Sequence, residues 1–193
     1  MRSALGARQR SLFTNYWRQL LILWLGVLSI QSAAFADVTD SVAGRRIFAS
    51  YVVFFARYIE WPKEAFPSRD TPYQVCILGV DPLGSVLDTK LSSKEVNDRR
   101  FRIRRIKSGN LEAIPDCHIL IVGGSEAATI KEIFGAIDNL SVLTISDIDG
   151  FAASGGMIGF VGTGRAMSMQ LNRTMLDRGR LKVGDRLLRL GGR

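Results

Sequence analysis

The sequence predicts an α/β protein: a three-layer sandwich with a mostly parallel central sheet and an antiparallel C-terminal hairpin. Three observations carry this. Short apolar runs with little polar alternation recur at 73–79, 117–123, 141–146 and 157–161, the mark of strands buried on both faces. Amphipathic segments of helical period lie between strands as far as residue 138, as parallel βαβ units require. The final runs, 157–161 and 166–171, read as a hairpin across 162–165.

The first 36 residues stand apart. Arg2, Arg8, Arg10 and Arg18 form a basic stretch without an acidic residue, followed by the apolar run LLILWLGVLSI at 20–30. Ala34 and Ala36 then place small residues where a signal peptidase reads them, so 1–36 is expected to be a secretory signal cleaved after Ala36. An uncleaved anchor is the alternative, but a bilayer needs about 17–25 apolar residues. Without those four arginines the remainder carries 22 basic and 18 acidic side chains, an excess too modest to point to nucleic acid. Residues 37–193 suit a single domain with its own core.

Taken in order, Thr39 or Asp40 is placed to cap a long helix that Pro62 ends. Ile47, Tyr51, Phe54, Tyr58 and Trp61 share one row of that helix, and Phe48, Val52, Phe55 and Ile59 the adjoining row. The rings belong in a core, or the wide apolar face exceeds what one domain covers and forms part of a dimer or partner surface. After a polar connection, 73–79 reads as a buried strand. Asp81 and Pro82 open a helix to about Leu91, and 101–106, FRIRRI, reads as a half-exposed or edge strand. Strand 117–123 leads to a helix over 126–138 capped by Ser125, with Ile130, Ile133, Phe134 and Ile137 on one side. Asn172 caps a helix to about Arg180, and Leu187, Leu188 and Leu190 of a last helix over 185–190 are expected on the core.

The chemistry-bearing residues are few. The glycine-rich stretch 150–164 has no phosphate-loop spacing, and a strand rather than a helix follows Gly155-Gly156, so no ring of helix N–H groups stands behind it. His118 is the single histidine, inside a buried run, with neither a paired His nor a CxxC to make a metal site or triad. Asp147 and Asp149 follow a strand where α/β sites form, a weak sign of a ligand pocket. No catalytic residue, cofactor or metal site is therefore expected. Cys76 and Cys117 fall on strands that a doubly wound sheet makes neighbours. They are either two buried thiols or, favoured in an exported chain, a disulfide.

Several motifs in series resemble the YfiR family: YIEWP at 58–62, VCILG at 75–79, CHILIV at 117–122, VLTIS at 142–146, GGMIGFV at 155–161 and LKVGDRLLRL at 181–190. The resemblance spans 42–190. It implies a periplasmic α/β protein that forms homodimers and represses an inner-membrane diguanylate cyclase through the cyclase's periplasmic part, setting cyclic di-GMP and with it biofilm formation. Cys76 and Cys117 fall on the family's positions for a bridge. Some relatives carry a second cysteine pair flanking the glycine-rich loop, but this chain has Gly150 and Met157 about there, which excludes redox sensing through that pair.

These readings converge on a non-enzymatic periplasmic regulator that binds an inner-membrane signalling protein, a YfiN-like diguanylate cyclase or a sensor kinase. Expected contact residues are Trp61, Phe151, Met157 and Phe160, with Gly155 and Gly156 allowing close approach. A periplasmic small-ligand sensor with its pocket near Asp147 and Asp149 is the alternative.

Overall fold

The computed structural model describes residues 38–162 and 167–191. The expected signal peptide and the turn of the C-terminal hairpin lie outside them. Nine strands are described: β1 (Ile59–Glu60), β2 (Tyr73–Leu78), β3 (Glu95–Val96), β4 (Arg99–Ile106), β5 (Ile119–Val122), β6 (Leu143–Ser146), β7 (Ile158–Val161), β8 (Ser168–Leu171) and β9 (Lys182–Val183). Five α-helices accompany them: α1 (Val42–Tyr58), α2 (Ser85–Leu91), α3 (Ile130–Ala136), α4 (Arg173–Arg178) and α5 (Asp185–Leu190).

Seven strands form one sheet in the order β3-β4-β2-β5-β6-β7-β8. The pairs from β4 to β7 are parallel, and β3–β4 and β7–β8 are antiparallel. The α/β sandwich with a mostly parallel sheet is thus the observed fold. Strand alternation divides β2 between two cores. Val75 and Ile77 face α1 and α2, and share a core with Phe48, Val52, Phe55, Leu87, Ile121, Ile145 and Phe160. Cys76 and Leu78 face the other way, toward Ile133 and Ile137 beside α3, with Leu120, Val122 and Phe151. A strand covered on both sides has no polar face to show, which is why these runs do not alternate.

Several local expectations change. Ser41, not Thr39 or Asp40, caps α1: its Oγ accepts the Gly44 N–H at 2.9 Å. Thr39 lies in a 3₁₀ turn over Val38–Asp40, its side chain committed elsewhere. The helix stops at Tyr58 because Ile59 and Glu60 leave to pair with Val183 and Lys182, a partner far along the chain that local periodicity cannot show. Asp81 accepts the N–H groups of Leu83 and Gly84 at 2.8 and 2.9 Å, which makes 81–84 a turn and delays α2 to Ser85. The segment after Ser125 is a 3₁₀ helix before it becomes α3 at Ile130. Asn172 does cap α4, its Oδ1 accepting the Met175 N–H at 3.1 Å.

Cys76 on β2 and Cys117 just before β5 form a disulfide, with Cα atoms 5.9 Å apart and the two positions 41 apart in sequence. On the chain-entropy model a loop of that size stabilises the fold by about 4 kcal/mol.

Candidate functional site

In a doubly wound sheet, ligands settle at the carboxyl ends of the strands where the winding reverses. Here that point lies between β2 and β5, and the chain fills it with its own side chains. Glu126 is buried there, its Oε1 accepting the hydroxyls of Ser125 at 2.9 Å and of Ser108. Gly79, at φ 81°, leaves the room: an added Cβ would overlap that carboxylate. One strand further, Asp147 is buried and accepts both the N–H (3.0 Å) and the hydroxyl (2.7 Å) of Thr39. The aspartate read as a pocket residue instead ties the start of the described chain to the sheet. Asp149 is exposed beyond it.

His118 is equally committed. Nδ1 accepts the Gln74 N–H at 3.0 Å, which leaves Nε2 to carry the proton toward the Ala65 carbonyl at 2.8 Å. Phe66 stacks on the imidazole, centroids 4.4 Å apart, and the Arg99 guanidinium lies 4.1 Å from the Phe66 centroid. Burial, with Arg99 adding to it, holds the imidazole below the ordinary histidine range, so it stays neutral. Both nitrogens are used in holding loop 65–74, and neither is offered to a substrate. Among the described residues no group of three His, Cys, Asp or Glu could hold a metal.

The contact residues expected from sequence separate on inspection. Phe151, Met157 and Phe160 are 1–2% exposed, so the apolar side chains read as solvent-reachable contacts are interior and that expectation is corrected, while Ala153 and Ser154 of the loop between them are exposed. Phe160 lies under α1, its ring centroid 4.6 Å from Phe48 and 5.2 Å from Tyr51. Phe151 packs on Phe134 at 5.5 Å. Gly155 and Gly156 do permit close approach, but of the chain's own rings: a Cβ at Gly156 would overlap Phe151, and at Gly155 it would crowd Phe134. Trp61 is half-buried, its indole N–H donating to the His118 carbonyl at 3.3 Å. The structure gathers none of these six into one open surface.

What remains open is one row of α1. Phe48, Val52 and Phe55 are fully buried, whereas Ile47, Tyr51 and Phe54 are only half covered. With Arg46, Ser50 and Leu190 they line an apolar cleft of about 380 Å³. Leu190, expected on the core, is 51% exposed at its rim, and Leu187 alone of the α5 leucines is fully buried. The helical row identified Tyr51 and Phe54 as apolar, but only packing reveals which row the sheet covers. A second concavity of about 430 Å³ lies at the opposite, amino ends of β5 and β6, its mixed wall including Glu64, Asp116, His118, Arg180, Leu140 and Val142.

The fold and site define a disulfide-bridged α/β sandwich whose usual ligand crevice is closed and whose long helix keeps a half-covered apolar row. Residues 45–192 match the YfiR/HmsC-like family, and the chain belongs to that family. No curated protein matches it.

Proposed function

We propose that this protein is a non-enzymatic periplasmic regulator, exported with residues 1–36 removed. It binds the periplasmic part of an inner-membrane signalling protein, a diguanylate cyclase controlling cyclic di-GMP and biofilm formation, and holds it inactive. Family membership supports the class, and the disulfide suits an oxidising compartment. Among the described residues no helix is long and apolar enough to cross a membrane.

The observation that carries the reading is the half-covered row of α1. A cleft with half-exposed aromatic rings and a leucine at its rim offers the rigid apolar anchors on which protein interfaces depend. Repression is then a population shift, the complex favouring the partner's inactive arrangement. Deleting the gene should raise cyclic di-GMP. Wild type supplied in trans should restore the low level, and Phe54→Asp should not. An unchanged level on deletion would refute the reading. A homodimer belongs to the same proposal, and light scattering separates the two associations: a Phe54→Asp chain that stays dimeric yet fails to repress assigns the cleft to the partner.

A small-ligand sensor is the second reading, and the concavity beside His118 and the disulfide favours it. Its place differs from the one expected near Asp147. A metabolite that raises the melting temperature of the wild type but not of Arg180→Ala would support it.

A further inference from the structure

The edge of the sheet at β4 is open in a way that specifies a partner. β3 has only two residues, and it covers β4 only at Arg99 and Arg100, joined to it by a tight turn through Asn97 and Asp98, both at positive φ. Beyond Arg100, the next six residues of β4 pair with β2 alone. The Ile106 carbonyl accepts the Gly79 N–H, which sets the even-numbered residues' backbone groups toward β2. The N–H and C=O groups of Phe101, Ile103 and Arg105 therefore point away from β2; the β3 register turns the Phe101 N–H toward Lys94, and Ile103 and Arg105 have no strand beside them on that side among the described residues.

The side chains along this edge alternate in chemistry. Arg100, Arg102 and Arg104 share one face of the sheet, while Phe101 and Ile103, both half-buried, share the other. Arg104 is occupied, donating to the Ala113 carbonyl at 2.8 Å and pairing with Asp116 at 3.3 Å. Arg105 is held by Asp81 and Asp88. Arg102 is exposed, and no side-chain hydrogen bond or ion pair of its own is found among the described residues.

We propose that the outer edge of β4 over residues 101–106 receives an extended acidic polypeptide segment, which adds as a strand in line with β3. Charge selects the occupant. A second copy pairing antiparallel about Ile103 would set Arg102 opposite Arg104 on the same face, and like charges directly opposed destabilise a ladder. A strand alternating acidic and apolar residues reverses that sign. Its carboxylates meet Arg102 on one face, its apolar side chains cover Phe101 and Ile103 on the other, and its backbone satisfies the outward groups. This edge is separate from the α1 cleft, so the inference stands or falls independently of the regulatory reading.

The test uses labelled peptides of about six residues, the span of the open edge at roughly 3.3 Å per residue. One alternates Glu and Val, a second alternates Lys and Val, and phosphatidylglycerol vesicles form the third arm. The Glu-Val peptide should bind, the Lys-Val peptide should not, and saturation should slow amide exchange at Ile103 and Arg105 while leaving Arg102 and Arg104 unchanged. Arg102→Glu should weaken Glu-Val binding by at least about fivefold. Arg102→Ser, a milder change at the same exposed site, should weaken it less. No binding, binding without protection of those two amides, equal binding to Arg102→Glu, or binding to the vesicles alone would overturn the proposal.

Discussion

The two apolar rows of α1 differ by one step around the helix and by everything in their surroundings. Phe48, Val52 and Phe55 press into the sheet and are fully buried, with Phe160 and β2 beneath them. Ile47, Tyr51 and Phe54 carry the same kind of side chain and stay half open around a cleft. The helix therefore has more apolar width than its own sheet can use. One row specifies the fold, and the other, packed on it only in part, is the face proposed for a partner.

The largest expected effect breaks the first row. Phe55→Ala removes a fully buried ring and should cost about 3–5 kcal/mol in urea unfolding, whereas Phe54→Ala should cost well under half as much. Equal losses would mean the two rows are equally structural. Close behind comes the bridge beneath them. Replacing Cys76 and Cys117 together by Ser should lower stability by about 4 kcal/mol while leaving the α1 cleft in place, which partner binding under stabilising conditions would report.

A smaller effect concerns pH. His118 has a folded-state pKa below its ordinary value, so the folded chain prefers the neutral ring and the unfolded chain takes up the proton first. Stability should be level above neutral pH and decline as pH falls through about 6.5, at up to about 1.4 kcal/mol per pH unit. His118→Gln should flatten that part of the profile, and an unaltered slope would contradict the assignment. The smallest effect is at the cap. Ser41→Ala frees the Gly44 N–H and should cost about 1 kcal/mol, loosening both rows alike.

Much of this was legible in the chain. Apolar runs at 73–79 and 117–123 marked the central strands because burial on both faces suppresses alternation, and the same placement brought Cys76 beside Cys117. The amphipathic period found both rows of α1. What was not legible depends on distant partners. Two-residue strands such as β1 and β9 are too short to show a period, and their pairing is what ends α1. Glu126 carries no local sign that it closes the crevice between β2 and β5; beside its neighbour Ser125, it depends on Gly79 for room and on Ser108 for a second hydroxyl, both far away in sequence. The misplaced contact residues did carry a warning. Met157 and Phe160 belong to an alternation-free run, and that pattern argued for burial before any surface role.

The half-covered row of α1 is proposed as a binding face beyond its packing on the core. Phe54→Asp tests it most directly, with unfolding free energy and cyclic di-GMP repression measured on the same variant. The expected result is a folded chain that loses about 2 kcal/mol of stability, less than Phe55→Ala, and no longer represses. A variant that folds as wild type does and still represses fully would contradict it.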